Sequence, residues 1–330
     1  MKFTSMLRLT LTGTTLTALS AFSVLGGGAA LAQAYPAKPI RLMVGYAAGG
    51  PVDNAARKLG PALAAELGQT VVIENRGGAS GVLGADAIAK AEPDGYFLIL
   101  QASPTQVMVP HITKSLPFDP VKDFTPISGV VGFATVLVVG KGLPVSNVQQ
   151  LVAYARANPG KLSFGSAGIG ASNHLAGELL AAKTDTQMLH VPYKGNALAL
   201  TDVISGQISF MFNSVGDSLG FLKSGQVRGL AVGSKARSRV LPDVPTLIES
   251  GIPDFDVTAW YALEGPPRLP RAIQMRLNAA VVKVMNDPAL SKAFYDLGYD
   301  PMPSTPEELQ SRIQSDFERW RVVGRRIKID

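Results

Sequence analysis

The chain has 330 residues, 46% hydrophobic and 17% charged, with a formal net charge of +6, three histidines and no cysteine. The missing cysteines exclude disulfides, thiolate metal sites and cysteine nucleophiles. With no basic run longer than Arg325-Arg326, the charge leaves no footprint for nucleic acid.

Lys2 and Arg8, an apolar Thr-rich stretch, and small residues up to Ala34 follow the order of a secretory signal peptide. Cleavage after Ala32 or Ala34 satisfies the small-residue rule, so residues 1–34 are set apart and a periplasmic location is expected. Strand-like and helix-like segments then alternate, which predicts an α/β fold with parallel-rich sheets flanked by helices. Ile40–Tyr46 reads as a strand and Pro51–Leu67 as a helix with proline in its first turn and Gly68 at its end. Thr70–Glu74 is a second strand, Asn75–Gly81 a glycine loop, Val82–Ala91 a helix, Tyr96–Gln101 a third strand, and Ala102–Pro126 a proline-rich loop.

After the apolar run Val130–Val139 the pattern restarts. Lys161–Phe164 (strand), Gly165–Gly170 (glycine loop), Ala171–Lys183 (helix) and Met188–Val191 (strand) repeat the order seen from residue 40, which suggests two similarly built halves. Helices are expected at Leu198–Ile204, Asp217–Ser224, Pro270–Asn286 and Pro306–Val323, and strands at Ile208–Phe212 and Val227–Val232. Val130–Val139 and Val257–Leu263 read as two crossings between lobes. The expected division is residues 35–135 with 257–330 for one lobe and 136–256 for the other.

Each half carries a Gly-rich turn feeding a helix, one near Pro51 and one near Ala171. Unpaired first-turn N–H groups and the helix dipole make each a place for an anion, and a carboxylate bound by both needs no arginine. Asp53, in the first turn, suits a capping role. Asn75, Ser80, Ser103, Thr105, Ser166, Ser172 and Asn213 are placed on turns after predicted strands, where α/β sheets bind ligands. Enzyme signatures fail: Gly216-Asp217-Ser218-Leu219-Gly220 matches a nucleophile elbow, yet no histidine follows the serine. The histidines lack metal-ligand spacing, and Gly168-Ile169-Gly170 lacks the third glycine of a dinucleotide fingerprint, so neither metal nor cofactor is expected. A secreted hydrolase using Asp53 or Ser218 and an adhesive envelope protein are the competing readings.

Several stretches together resemble the tripartite tricarboxylate transporter substrate-binding receptors, the TctC or Bug family. They are Tyr35-Pro36 with Lys38-Pro39-Ile40, Gly49-Gly50-Pro51 with Asp53, Glu74-Asn75-Arg76, Pro93-Asp94-Gly95-Tyr96 and Ser166-Ala167-Gly168 with Gly170. To these add His174-Leu175-Ala176-Gly177-Glu178, Val191-Pro192-Tyr193-Lys194-Gly195, Gly206-Gln207 and Leu241-Pro242-Asp243-Val244-Pro245-Thr246. The resemblance implies a two-lobed type II periplasmic-binding-protein fold, not an enzyme, that closes on a small carboxylate (di- or tricarboxylate, or aromatic). It implies a monomer whose partner is a two-subunit membrane permease or a sensor kinase. Its cleft residues would be Tyr46, Ala48, Gly49, Gly50, Val52 and Asp53, with Asn75, Ser80, Ser103 and Thr105, then Ser166, Ala167, Gly168, Gly170 and Ser172, and finally Tyr193 and Asn213. Val52 and Ala171 depart from the family's common threonine and serine, and Asn213 from its aspartate; a neutral amide at the last position would not pair with an amine, which favours an amine-free ligand.

Overall fold

In a computed structural model, residues 35–324 are described; the signal-peptide reading of residues 1–34 lies outside them. The first sheet begins with β1 (Ile40–Val44), whose side chains are buried except at Arg41. Helix α1 (Pro51–Leu67) follows. Gly50 is its N-cap, Pro51 occupies the first position, and Gly68 ends it with φ of 70° and its N–H on the Ala64 carbonyl. Then come β2 (Val71–Asn75), a 3-10 turn at Ala79–Gly81, α2 (Val82–Ala89) and β3 (Phe97–Ala102). The stretch expected as a proline-rich loop instead starts with a π-helical turn, Pro104–Met108, and a 3-10 turn, Val109–His111.

The chain crosses to the second sheet between β4 (Thr125–Phe133) and β5 (Thr135–Gly140), one apolar run broken at Ala134. Helix α3 (Val148–Ala157), capped by the Asn147 side chain, leads to β6 (Ser163–Ser166), α4 (Ser172–Thr184), β7 (Leu189–Pro192) and α5 (Asn196–Ser205). The second sheet is completed by β8 (Phe210–Ser214), α6 (Val215–Lys223) and β9 (Val227–Val232). The return crossing is β10 (Ala259–Gly265), followed by α7 (Arg271–Met285), α8 (Pro288–Tyr295), β11 (Asp300–Pro301) and α9 (Pro306–Gly324).

The strand orders are β11-β4-β10-β3-β1-β2 and β7-β6-β8-β5-β9. The parallel ladders belong to the strand–turn–helix units, β1 with β2 and β3, and β6 with β7 and β8. The crossing strands β4, β5 and β10 pair antiparallel with their neighbours, so both sheets are mixed rather than mainly parallel. Helices cover both faces of each sheet. One core packs α1 and α7 on the first sheet through residues such as Leu42, Leu59, Leu263 and Leu277. Another packs α5 and α6 on the second through Val136, Met211 and Leu200. A third cluster runs from Phe164 and Leu180 in the second unit to Val107, Trp260, Leu309 and Trp320 in the first.

Helix α9 clasps the return crossing. Trp260 donates through Nε1 to Asp316 (2.8 Å), and Arg319 bridges Asp316 (2.9 Å) and Asp256 (2.7 Å). These carboxylates have little exposure, so their pairing with one guanidinium offsets part of their desolvation.

Candidate functional site

The candidate residues gather at the C-terminal ends of β1, β2 and β3 in one sheet and of β6 and β8 in the other. Asn75, Ser166 and Asn213 are not turn residues as expected. They complete their strands, because Val44, Pro192 and Val136 on neighbouring strands supply ladder partners. The ladders therefore carry these polar groups to the mouth between the sheets.

In the first unit Asp53 is 1% exposed and acts as a brace. Its carboxylate accepts from Gly49 N–H (2.8 Å), Arg57 Nε (2.8 Å) and Asn75 Nδ2 (3.0 Å). Burial alone would raise its pKa, but these bonds outweigh it and hold the carboxyl below its ordinary value. Asn75 also donates to the Tyr46 carbonyl (3.2 Å), and Gly50 N–H reaches the Ala47 carbonyl (3.3 Å). Gly49 and Gly50 are thus tied within their own turn. Among the donors left at this turn are the first-turn N–H groups of Val52 and Asp53, which, like those of Ala47 and Ala48, have no acceptor among the described residues. Val52's side chain is in the core, so only its backbone faces outward. Ala48 is exposed beside it.

Asp53→Asn is expected to cost about 1–2 kcal/mol near neutral pH, measured by urea unfolding, since a charged acceptor of three bonds is neutralised. The folded pKa lies below 3.8, so the contribution is present above 3.8 and is lost as the pH falls through the folded value. The gap between variant and wild type should close in acid.

Tyr46, Ser80 and Thr105 meet although they lie on three separate segments. The Tyr46 hydroxyl is 2.8 Å from Thr105 Oγ1, which donates to the Ser80 carbonyl (2.8 Å). Ala79 and Ser80 hold φ of 47° and 54°, left-handed values that non-glycine residues resist. Gly81, at φ of +91°, passes so close to Thr105 that a Cβ would lie 2.4 Å from Oγ1. Ser103 is buried, and its hydroxyl accepts from Trp260 N–H (3.1 Å), tying β3 to the return crossing.

The second unit is braced in the same way. Ala167 N–H goes to Asn173 Oδ1 (3.1 Å), Gly168 N–H to Ser166 Oγ (3.1 Å) and Gly170 N–H to His174 Nδ1 (3.1 Å). The Ser166 hydroxyl is also 2.6 Å from His190 Nε2. Helix α4 begins at Ser172 without a side-chain cap on Ala171, so the N–H groups of Ser172 and Asn173 have no acceptor among the described residues. The Tyr193 N–H goes to the Ser166 carbonyl (3.0 Å), its hydroxyl donates to Asp202 (2.6 Å), and its ring packs on the core under α5.

Asn213, 1% exposed, presents a bare carbonyl. Ser218 Oγ donates to the Ser214 carbonyl (2.9 Å) and can only accept from Asn213, so the Asn213 NH2 points to Ser218 (3.1 Å) and Oδ1 points away. The elbow-like serine is thus fully buried inside α6 as a helix back-bonding residue. Two cavities, lined by Val121, Phe317 and Glu318 and by Gln274, Glu307 and Gln310, lie along α9 away from these turns. They carry no comparable set of unpaired amides at strand ends.

Neither the imidazole pair His174–His190 nor the Asn173–Asn196 bond (2.8 Å) was legible as part of the site. A histidine three residues into a helix after a glycine turn is the one local signal that points to the first.

The family described as tripartite tricarboxylate transporter family receptor matches residues 55–329. BugT of Bordetella pertussis is 34% identical over 295 residues, covering 89% of this chain and 90% of that protein. Among solved structures, an R. palustris protein with adipate superposes with a TM-score of 0.81 at 30% identity, covering 88% of this chain and 98% of the other. MatC from Rhodopseudomonas palustris, with bound malate, gives 0.78 at 31% identity over 88% and 100%. The chain belongs to the tripartite tricarboxylate transporter family of receptors, which are periplasmic solute-binding proteins and not enzymes.

Proposed function

We propose that this receptor captures a small amine-free carboxylate between two lobes, residues 35–135 with 257–330 and residues 136–256. It then presents the closed form to a two-subunit membrane permease. One observation carries the reading. At the strand ends of both units a helix begins with unpaired N–H groups, Val52 and Asp53 on one side and Ser172 and Asn173 on the other. Two helix N-termini attract one anion without a cationic side chain. The braces revise how the grip works: the amides of Gly49, Gly50, Ala167, Gly168 and Gly170 hold the turns themselves, and the first-turn amides remain for the ligand. The bare Asn213 carbonyl calls for a donor, a hydroxyl or a water, and would not neutralise an ammonium group. The adipate and malate bound by relatives support a dicarboxylate.

Export fits a receptor of this kind, and no helix among the described residues is long and apolar enough to cross a membrane. A thermal-shift screen over adipate, malate, citrate, benzoate and amino acids tests the reading. A matching dicarboxylate at about 100 times its Kd should stabilise the fold by about 2.7 kcal/mol. Stabilisation by a cationic solute alone would contradict it. X-ray scattering with the stabilising ligand should show a smaller radius of gyration and a monomeric mass.

A further inference from the structure

We propose that His174 and His190 are positioning residues that hold the loop Ser166–Gly170 in its binding shape, and that protonation of His174 releases the loop. The inference rests on reading that loop as one wall of the carboxylate site.

The two imidazoles hold opposite ends of the loop. Gly170 N–H donates to His174 Nδ1 at 3.1 Å, which fixes the tautomer: Nδ1 is bare and the proton sits on Nε2. That N–H faces Glu178 Oε1 at 3.7 Å. His190 Nε2 lies 2.6 Å from Ser166 Oγ, which also accepts from Gly168 N–H. The rings stack with centroids 3.9 Å apart at 28°, with Phe164 packed behind at 5.1 Å from His190. Their mutual contact sets the spacing of the two loop ends.

Across the loop, Gly170 meets the other unit. A Cβ there would lie 2.7 Å from Ile112 Cδ1 and 3.7 Å from Val109 Cγ2. Those neighbours are apolar. Glu178 on α4 and His190 on β7 are the titratable groups that face His174 among the described residues. Burial pushes both imidazoles down to about 4, and for His174 the neighbouring ring adds to the effect. Burial also raises the Glu178 carboxyl. Both rings are therefore neutral near pH 7. A proton on His174 Nδ1 would set two N–H donors face to face, and the Gly170 bond would be lost.

The test uses 15N-labelled wild type, His174→Asn and His174→Leu. Asparagine returns an acceptor to the Nδ1 position, whereas leucine removes it. The Gly170 amide shift and hydrogen exchange are followed from pH 7 to pH 4 without ligand, alongside calorimetric titration with adipate and with malate. In wild type the Gly170 amide should shift and lose protection as the pH approaches 4, with affinity falling about 10-fold. His174→Asn should keep the Gly170 amide nearly constant and lose only the affinity that protonation of the dicarboxylate itself costs, so the 10-fold fall is read as the excess over this variant, and His174→Leu should show the acid phenotype already at pH 7. A Gly170 amide indifferent to pH in wild type, or the same titration in His174→Asn as in wild type, would overturn the proposal. If neither dicarboxylate binds wild type, the ligand assignment falls, and the Gly170 signal alone decides on the positioning role. Should the leucine variant fail to fold, the comparison of wild type with His174→Asn still decides.

Discussion

Replacing Glu264 with glutamine is expected to stabilise the protein at pH 8 by about 2–4 kcal/mol and to leave it almost unchanged below pH 5. Glu264 lies on β10 with no exposure, and among the described residues its one partner is Gln106 Nε2 at 2.9 Å, which also donates to the Pro120 carbonyl. Glu264 Oε1 has no partner among the described residues. Burial pushes the carboxyl up to about 8, against a smaller opposing effect from Gln106. The folded state therefore keeps a proton that the unfolded chain releases above its ordinary pKa of 4.5. Native protein binds more protons across that interval, so stability falls as the pH rises from about 4.5 to about 8. The ceiling on this effect, at about 1.4 kcal/mol per pKa unit, is near 5 kcal/mol, and relaxation of the site lowers it. Urea unfolding of both proteins at pH 5 and pH 8 checks the claim. The difference between the two curves isolates Glu264, because His174 and His190 titrate alike in both. A gap that does not change with pH would refute it.

The histidine pair acts with the opposite sign. Their folded pKa values, about 4, lie below the ordinary 6.5, so the unfolded chain binds more protons between those limits and stability falls as the pH drops through that window. Together with Glu264 they place the stability maximum in mildly acidic to neutral solution.

Gly216→Ala is expected to weaken dicarboxylate binding by about 10–100-fold, because it shifts the balance between open and closed lobes by about 1–3 kcal/mol. Gly216 opens α6 and lies against the turn between α8 and β11. A Cβ on it would come 2.0 Å from the Leu297 carbonyl oxygen, and one on Gly298, at φ of +74°, would come 2.5 Å from Gly216 Cα. Both sides of the contact are backbone, so no side chain can swing aside. The methyl group must part α6 from the turn, and that contact joins the two sheets' units. Calorimetry with adipate or malate and scattering of the liganded protein test this together. Unchanged affinity with a lower melting temperature would assign the contact to packing alone.

The strand–turn–helix units were legible because each depends on local periodicity and punctuation: Pro51 and Gly68 bracket α1, and the glycines before Ser172 announce α4. Strand ends were less legible. Ser166, Asn213 and Ser214 are polar, and only the neighbouring strand gives them a reason to stay extended. The π-helical turn at Pro104–Met108 was hidden by the prolines around it. Within the site, the glycine turns could be read from the chain, but not which of their amides remain unpaired. That depends on Asp53, Asn75, Asn173 and His174, whose partners are set by tertiary placement, and a side chain that braces a turn has the same sequence pattern as one that touches a ligand. Tyr193 is one more side chain of this kind, its hydroxyl held by Asp202.

The clasp of α9 on Asp256 and Trp260 governs the order in which the molecule can be completed. One sheet unites β1, near the start of the described chain, with β10 and β11, and its neighbouring core needs Leu309, Ile313 and Trp320 from the last helix. A ribosome or a translocation pore that has released only the first two hundred or so residues has delivered an unfinished first unit. Maturation therefore waits for the final helix to emerge, and a chain truncated before it would lose the joint between the units along with its tail.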